Sequence, residues 1–66
     1  MRLDIQFKNT DALFLHEKDL DCKRLTMLGH AGNLIDAWTK QKTGIYQIDN
    51  YTAVLLDEII SVNITA

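Results

Sequence analysis

The sequence contains no proline, a single cysteine and a single tryptophan among its 66 residues. Because Cys22 is alone, an intramolecular disulfide is excluded, and a reducing compartment is the expected environment. The longest uninterrupted apolar run is Ala53-Val54-Leu55-Leu56, far too short to span a bilayer. The N-terminal residues also lack an apolar run of signal-peptide length. We therefore expect a cytoplasmic protein that does not enter the membrane.

An excess of one charge is also lacking, with 7 Lys and Arg against 9 Asp and Glu, a net charge of −2. A protein that binds nucleic acid generally needs an excess of positive charge to neutralise phosphates, so nucleic acid is an unfavoured partner. Apolar residues make up 47% of the chain and charged residues 24%, which is typical of a globular protein rather than a disordered one.

A chain of this length predicts a single small domain over residues 1–66 with a marginal core. Domains of this size usually need a disulfide, a metal or a partner to be stable. Since a disulfide is impossible and no metal-binding pattern is present, self-association remains. We expect a homodimer or a larger assembly.

Both ends of the chain have the pattern of strands. Leu3, Ile5 and Phe7 alternate with polar residues, which predicts a strand over residues 2–8 and, after the turn-forming residues 9–11, a second strand over residues 12–17. Three further strands are predicted near the C-terminus, over residues 44–48, 51–56 and 60–65. We expect an N-terminal β-hairpin and a C-terminal three-stranded antiparallel meander.

The middle of the chain has apolar residues at three-to-four spacing from Leu20 to Trp38, which favours a helix over residues 20–41 with Asp19 as its N-cap. Gly29 and Gly32 disfavour a helix interior, each by roughly 0.5–1 kcal/mol relative to alanine. The helix is therefore either continuous or broken near residues 29–33. The rival is a second hairpin formed by residues 23–28 and 34–41.

The resulting fold class is α+β, with the helix and the sheet packed face to face. The alternative is a small all-β barrel in which the middle segment forms two strands. The expected core residues are Leu3, Ile5, Phe7, Leu28, Ile35, Trp38, Ile48, Val54 and Val62.

Candidate catalytic and metal-ligating residues are few. Cys22 with His16 or His30 as a base is one possible nucleophile, but no local signature surrounds it, and a partly buried small apolar residue is the preferred interpretation. The spacing of these three residues matches no zinc-binding pattern. We expect no catalytic residue, no metal and no cofactor.

Residues suited to contact with a partner cluster in the second half of the chain. Aromatic side chains can stack on bases or pack at protein interfaces, and lysines can bind phosphates. With so few basic residues, packing in a core or interface is the stronger interpretation. The candidate interaction residues are Trp38, Tyr46, Tyr51, Lys40 and Lys42.

The segment from Gly44 to Leu56 resembles the second-strand region of Sm-like RNA-binding proteins. It has a glycine, an apolar strand, the step Asp49-Asn50-Tyr51 and a further apolar strand, although the spacing between the glycine and the aspartate differs by one residue. The segment covers 13 of the 66 residues. The resemblance implies a ring-shaped oligomer that binds RNA, with Asp49, Asn50 and Tyr51 lining the pore.

The sequence favours a non-catalytic module that binds another protein or itself. No catalytic motif is recognised, and the apolar content is high for a chain whose core must be small. The compact, proline-free chain is similar in style to small accessory proteins of bacteria and their phages, although no motif carries that similarity. The alternative is a small nucleic-acid-binding domain with an Sm-like or SH3-like barrel. A cysteine-dependent enzyme is a third hypothesis.

Overall fold

The computed structural model describes residues 1–66, which form five strands and one α-helix. The elements in chain order are β1 (Arg2–Phe7), β2 (Ala12–His16), α1 (Arg24–Gln41), β3 (Ile45–Gln47), β4 (Ala53–Leu55), a 3₁₀ turn (Leu56–Glu58) and β5 (Ile59–Thr65). The α+β class is confirmed. The all-β barrel is wrong, because the middle segment is helical and the sheets do not close.

The predicted N-terminal hairpin is confirmed. Strands β1 and β2 pair antiparallel, with Leu3 opposite Leu15 and Asp4 opposite Phe14. In the turn between them, the Asn9 side-chain oxygen accepts a hydrogen bond from the backbone N–H of Asp11 at 3.1 Å. This local hydrogen bond stabilises the turn, as expected for asparagine in that position.

The C-terminal strands do not form the predicted meander. Strands β3 and β4 form a separate two-stranded sheet, whereas β5 pairs antiparallel with β1, giving a three-stranded sheet in the order β2-β1-β5. The 3₁₀ turn over Leu56–Glu58 separates β4 from β5, so the chain leaves the short hairpin and joins the N-terminal sheet. Alternation of apolar residues predicts a strand but does not identify its neighbour.

Helix α1 is continuous through Gly29 and Gly32, so neither the broken helix nor the second hairpin is present. It begins at Arg24 rather than at Leu20, and the carboxylate of Asp19 instead accepts a hydrogen bond from the backbone N–H of His16 at 2.8 Å. The N-cap prediction for Asp19 is therefore wrong. The helix ends at Gln41, and its C-cap residue Lys42 has a left-handed φ of 64°. The helix is not long and apolar enough to cross a membrane.

The core lies between the three-stranded sheet, the helix and the β3–β4 hairpin. Leu3, Ile5, Ile48 and Val54 are buried as predicted, and Phe7, Trp38 and Val62 are only half-buried. The remaining buried residues are Leu15, Leu20, Met27, Ala31, Leu34, Ala37, Leu56 and Ile59.

The predicted burial of Leu28 and Ile35 is wrong, because the helix turns a different arc toward the sheet. Met27, Ala31, Leu34 and Ala37 are its buried residues. Apolar residues cover more than one arc of this helix, so spacing alone leaves two possible orientations. The arc that is buried carries two alanines, whose small side chains permit close packing of the helix.

Candidate interaction surface

Helix α1 carries a second row of apolar residues that does not face the core. Leu25 is 82% exposed, Leu28 is 42% exposed and Ile35 is 39% exposed. At about 100° per residue, Leu28 and Ile35 lie roughly a quarter-turn around the helix from the buried arc. Together with two smaller residues they repeat at spacings of three and four, the pattern of a helix-packing seam. We call this row the helix stripe: Leu25, Leu28, Gly32, Ile35 and Thr39.

Gly32, in the middle of the helix stripe, is not required by packing within the chain. A Cβ atom at this position would have no other atom within 4 Å. A glycine inside a helix costs roughly 0.5–1 kcal/mol relative to alanine. The fold therefore tolerates a stability cost at Gly32, as it also does at Gly29, that contacts within the chain do not explain.

The C-terminal end of the helix stripe lies beside the start of β5. The helix packs against β5 and against the 3₁₀ turn that precedes it. Thr39, the last residue of the stripe, lines one cleft together with Asp57 and Ile59, the first residue of β5. Thr39 shares its arc of the helix with Leu28 and Ile35, so this arc faces the side of the molecule on which β5 begins.

Strand β5 is an edge strand that lacks charged residues and proline. It is 7 residues long, contains neither a charged residue nor a proline, and only β1 pairs with it. Ile60, at the irregularity in the β1–β5 pairing, has no partner residue on β1 and is 55% exposed. We call the unpaired side of this strand the β5 edge.

Two of the five predicted interaction residues meet in one cleft. Trp38 is half-buried and lines a cleft of about 390 Å³ with the exposed Lys42. Lys8, which was not singled out in the sequence, lies in the same cleft, and so does Asp57. The cleft therefore combines one aromatic ring with two basic groups and one acidic group.

The other three predicted residues lie elsewhere. Tyr51 is 94% exposed and borders a cleft that also contains Asp19 and Asp49, an acidic setting. Tyr46 is half-buried on β3, and the ammonium group of Lys40 lies 3.1 Å from the Asp36 carboxylate on the helix. The five residues do not form one aromatic and basic platform.

Cys22 is half-buried in the segment between β2 and α1. Partial burial raises the pKa of its thiol, and the carboxylates of Glu17, Asp21 and Asp49 raise the pKa further. Since the thiolate is the nucleophile, this setting lowers the reactivity of Cys22. His16, Cys22 and His30 do not form a group that could hold a metal ion.

A smaller apolar patch lies on the β3–β4 hairpin. Ile45 and Leu55 are opposite each other in this sheet and are 74% and 49% exposed. The patch consists of one cross-strand pair, whereas the helix stripe adjoins a free strand edge.

The sequence analysis did not identify the helix stripe. Leu25 was not named as an interaction residue, and Leu28 and Ile35 were assigned to the core. The alternating spacing of three and four residues was the signal that could have identified the stripe.

Comparisons with known proteins find no matching family model, no similar curated protein and no similar solved structure.

Proposed function

We propose that this protein is a non-catalytic protein-interaction module of the small accessory type. It binds through the helix stripe and the adjoining β5 edge, either to a second copy or to a different protein. The observation that carries the proposal is the row Leu25, Leu28 and Ile35, three large apolar side chains exposed on one arc of a helix.

The energetics of burial support this proposal. Only 12 of the 66 residues are buried, so the core is small for a chain with 47% apolar residues. Complete burial of one leucine or isoleucine side chain stabilises a complex or fold by roughly 1.5–3 kcal/mol. A partner that covers the helix stripe gains a substantial part of this free energy for each of the large side chains.

The distribution of charge on the helix also supports it. The helix stripe contains no charged residue. Asp36 and Lys40 pair with each other, so the pair contributes little net charge next to the stripe. Interface centres are depleted of charged residues in the same way.

The test compares which proteins cross-link to two exposed positions. A photoreactive amino acid is placed at Leu25 in the helix stripe or, as a control, at Tyr51, which is 94% exposed in the acidic cleft. We expect a discrete product from position 25, either a cross-linked dimer or one defined heterologous partner, and none from position 51. The product from position 25 should disappear when Leu28→Ser and Ile35→Ser are introduced. Equal cross-linking from both positions, or a product that persists in the double variant, contradicts the proposal.

A small nucleic-acid-binding domain is the second candidate, favoured by the position of Trp38 beside Lys8 and Lys42 in one cleft. Trp38 is the single tryptophan of the chain, so its fluorescence reports on this cleft alone. Stacking of a base on Trp38 should quench the fluorescence when a single-stranded oligonucleotide is added, and added salt should reverse the quenching steeply. Unchanged fluorescence at low salt rejects this candidate.

A further inference from the structure

We propose that the partner of this surface is a second copy of the same chain, which pairs antiparallel along the β5 edge. The pairing extends the three-stranded sheet into a six-stranded sheet, and the two helix stripes pack against each other on one face of it. This inference rests on the proposed function and names its partner.

The two edge strands of the three-stranded sheet differ in length and in their position relative to the helix. Neither strand contains Asp, Glu, Lys, Arg or proline, but β2 has 5 residues and β5 has 7. Of the two edge strands, β5 is the one against which α1 mainly packs. Proteins generally block such edges with charges, prolines or covering segments, because an open edge pairs with another strand.

The sequence of β5 is compatible with antiparallel pairing to itself. A two-fold axis perpendicular to the sheet preserves its two faces, so only residues of the same face can be opposite each other. Centring the axis on Val62 pairs Ser61, Val62 and Asn63 with the same three residues of the second copy, and it places Ser61 opposite Asn63. The regular pairing ends at the irregularity at Ile60. No like charges become opposed, and Val62 and Ile64 remain on the face of the core.

The same axis brings the two helices together. Each α1 packs against its own β5, so pairing of the strands places the helices side by side and antiparallel on one face of the extended sheet. The helix stripe lies on the β5 side of α1, where it faces the second copy. The absence of a side chain at Gly32 lets a neighbouring helix approach closely.

The strand and the helix are both needed for an interface of sufficient size. A pair of isolated strands is marginal in water, so the β5 edge alone would not hold a dimer. The molecule measures 28 × 22 × 19 Å, so one face of it spans about 400–600 Å² in projection, and the roughly 500 Å² per partner of a small specific interface requires most of one face.

The test uses charge pairs that only this register opposes. Variant one carries Ser61→Lys and Asn63→Lys, which place like charges opposite each other twice across the axis. Variant two carries Ser61→Glu and Asn63→Lys, which place opposite charges there instead. Both variants share Asn63→Lys, at the position opposite Asp4 on β1, and differ only at Ser61, which is opposite the uncharged Gln6. Asn63 is exposed and Ser61 half-buried on the polar face of the sheet, so both variants should fold, which circular dichroism verifies. Sedimentation equilibrium then gives the dissociation constant of each protein.

We expect the native chain and variant two to be dimers and variant one to dissociate about ten-fold more readily or more. A native chain that stays monomeric at all concentrations overturns the inference, and so do two variants with equal dissociation constants. A monomer whose position 25 still cross-links to a different protein leaves the proposed function intact. A monomer with no cross-linked product contradicts both.

Discussion

Ile5 on β1 and Val62 on β5 lie directly opposite each other, yet Ile5 is completely buried and Val62 is only half-buried. The neighbouring pair repeats this difference, since Leu3 is completely buried and its partner Ile64 is half-buried. Val62 and Ile64 therefore lie at the edge of the core and are partly exposed to solvent, and no charged residue of β5 lies beside them. The core is covered at β1 and only partly covered at β5.

The orientation of α1 is tested by truncating two adjacent residues. Met27 is completely buried, so Met27→Ala should lower the free energy of unfolding by about 2–5 kcal/mol. Leu28 is 42% exposed, and Leu28→Ala should cost less than about 1 kcal/mol in the isolated monomer. Urea denaturation at low protein concentration measures both values. The opposite order would mean that the helix turns its other arc to the sheet.

The two helix glycines form a matched pair. A Cβ atom added at either position would have no other atom within 4 Å, so Gly29→Ala and Gly32→Ala should each stabilise the monomer by roughly 0.5–1 kcal/mol. Only Gly32 belongs to the helix stripe, so only Gly32→Ala should weaken self-association. Denaturation gives the first effect and sedimentation the second. Equal association of the two variants argues against close helix contact at Gly32.

The thiol of Cys22 should react slowly with a disulfide reagent at pH 8. Because partial burial and nearby carboxylates raise its pKa, less thiolate is present in the native protein than in the unfolded chain. The rate of reaction measured spectrophotometrically should therefore increase when urea unfolds the protein. If the thiol reacts faster in the native protein than in the unfolded chain, the result would support the hypothesis of a cysteine-dependent enzyme.

The hydrogen bonds to the Asp49 carboxylate predict that the protein loses stability in acid. Its carboxylate accepts a hydrogen bond from the backbone N–H of Tyr51 at 2.9 Å, and this bond, with further bonds from Thr52, holds the pKa of Asp49 below its ordinary value of 3.8. A lowered pKa in the folded state contributes stability above the ordinary value, and that stability is lost as the pH falls through the folded pKa. Asp49→Asn should reduce this acid dependence, as measured by thermal unfolding from pH 6 to pH 2. An unchanged pH profile would show that this bond does not couple to folding.

The sequence was sufficient for the fold class and for most element positions, because Leu3 and Ile5 alternate with polar residues in β1 and the helix has a regular apolar spacing. It did not identify the neighbour of β5, since pairing with β1 spans nearly the whole chain and depends on how the 3₁₀ turn redirects the backbone. The sequence also predicted a helix start that is too early. Asp19 is a residue type that often caps a helix, but its carboxylate accepts a hydrogen bond from the backbone N–H of His16 in a turn instead.

The candidate surface was harder to predict for a related reason. Leu28 and Met27 are equally apolar neighbours, and their spacing does not decide which of them faces the sheet. Exposure of the helix stripe depends on the three-dimensional packing of Ala31 and Ala37 against the strands. Lys8 and Trp38 are 30 positions apart in the sequence and meet only because the end of β1 lies near the end of α1.

The most direct test of the central claim is an NMR concentration series with labelled methyl groups and backbone amides. If the chain pairs with a second copy through the helix stripe and the β5 edge, the methyl signals of Leu28, Ile35 and Val62 should shift and broaden as the concentration rises. The methyl signal of Ile45, on the other exposed apolar patch, should stay unchanged. Signals that are independent of concentration throughout, or changes confined to Ile45, would contradict pairing with a second copy through this surface.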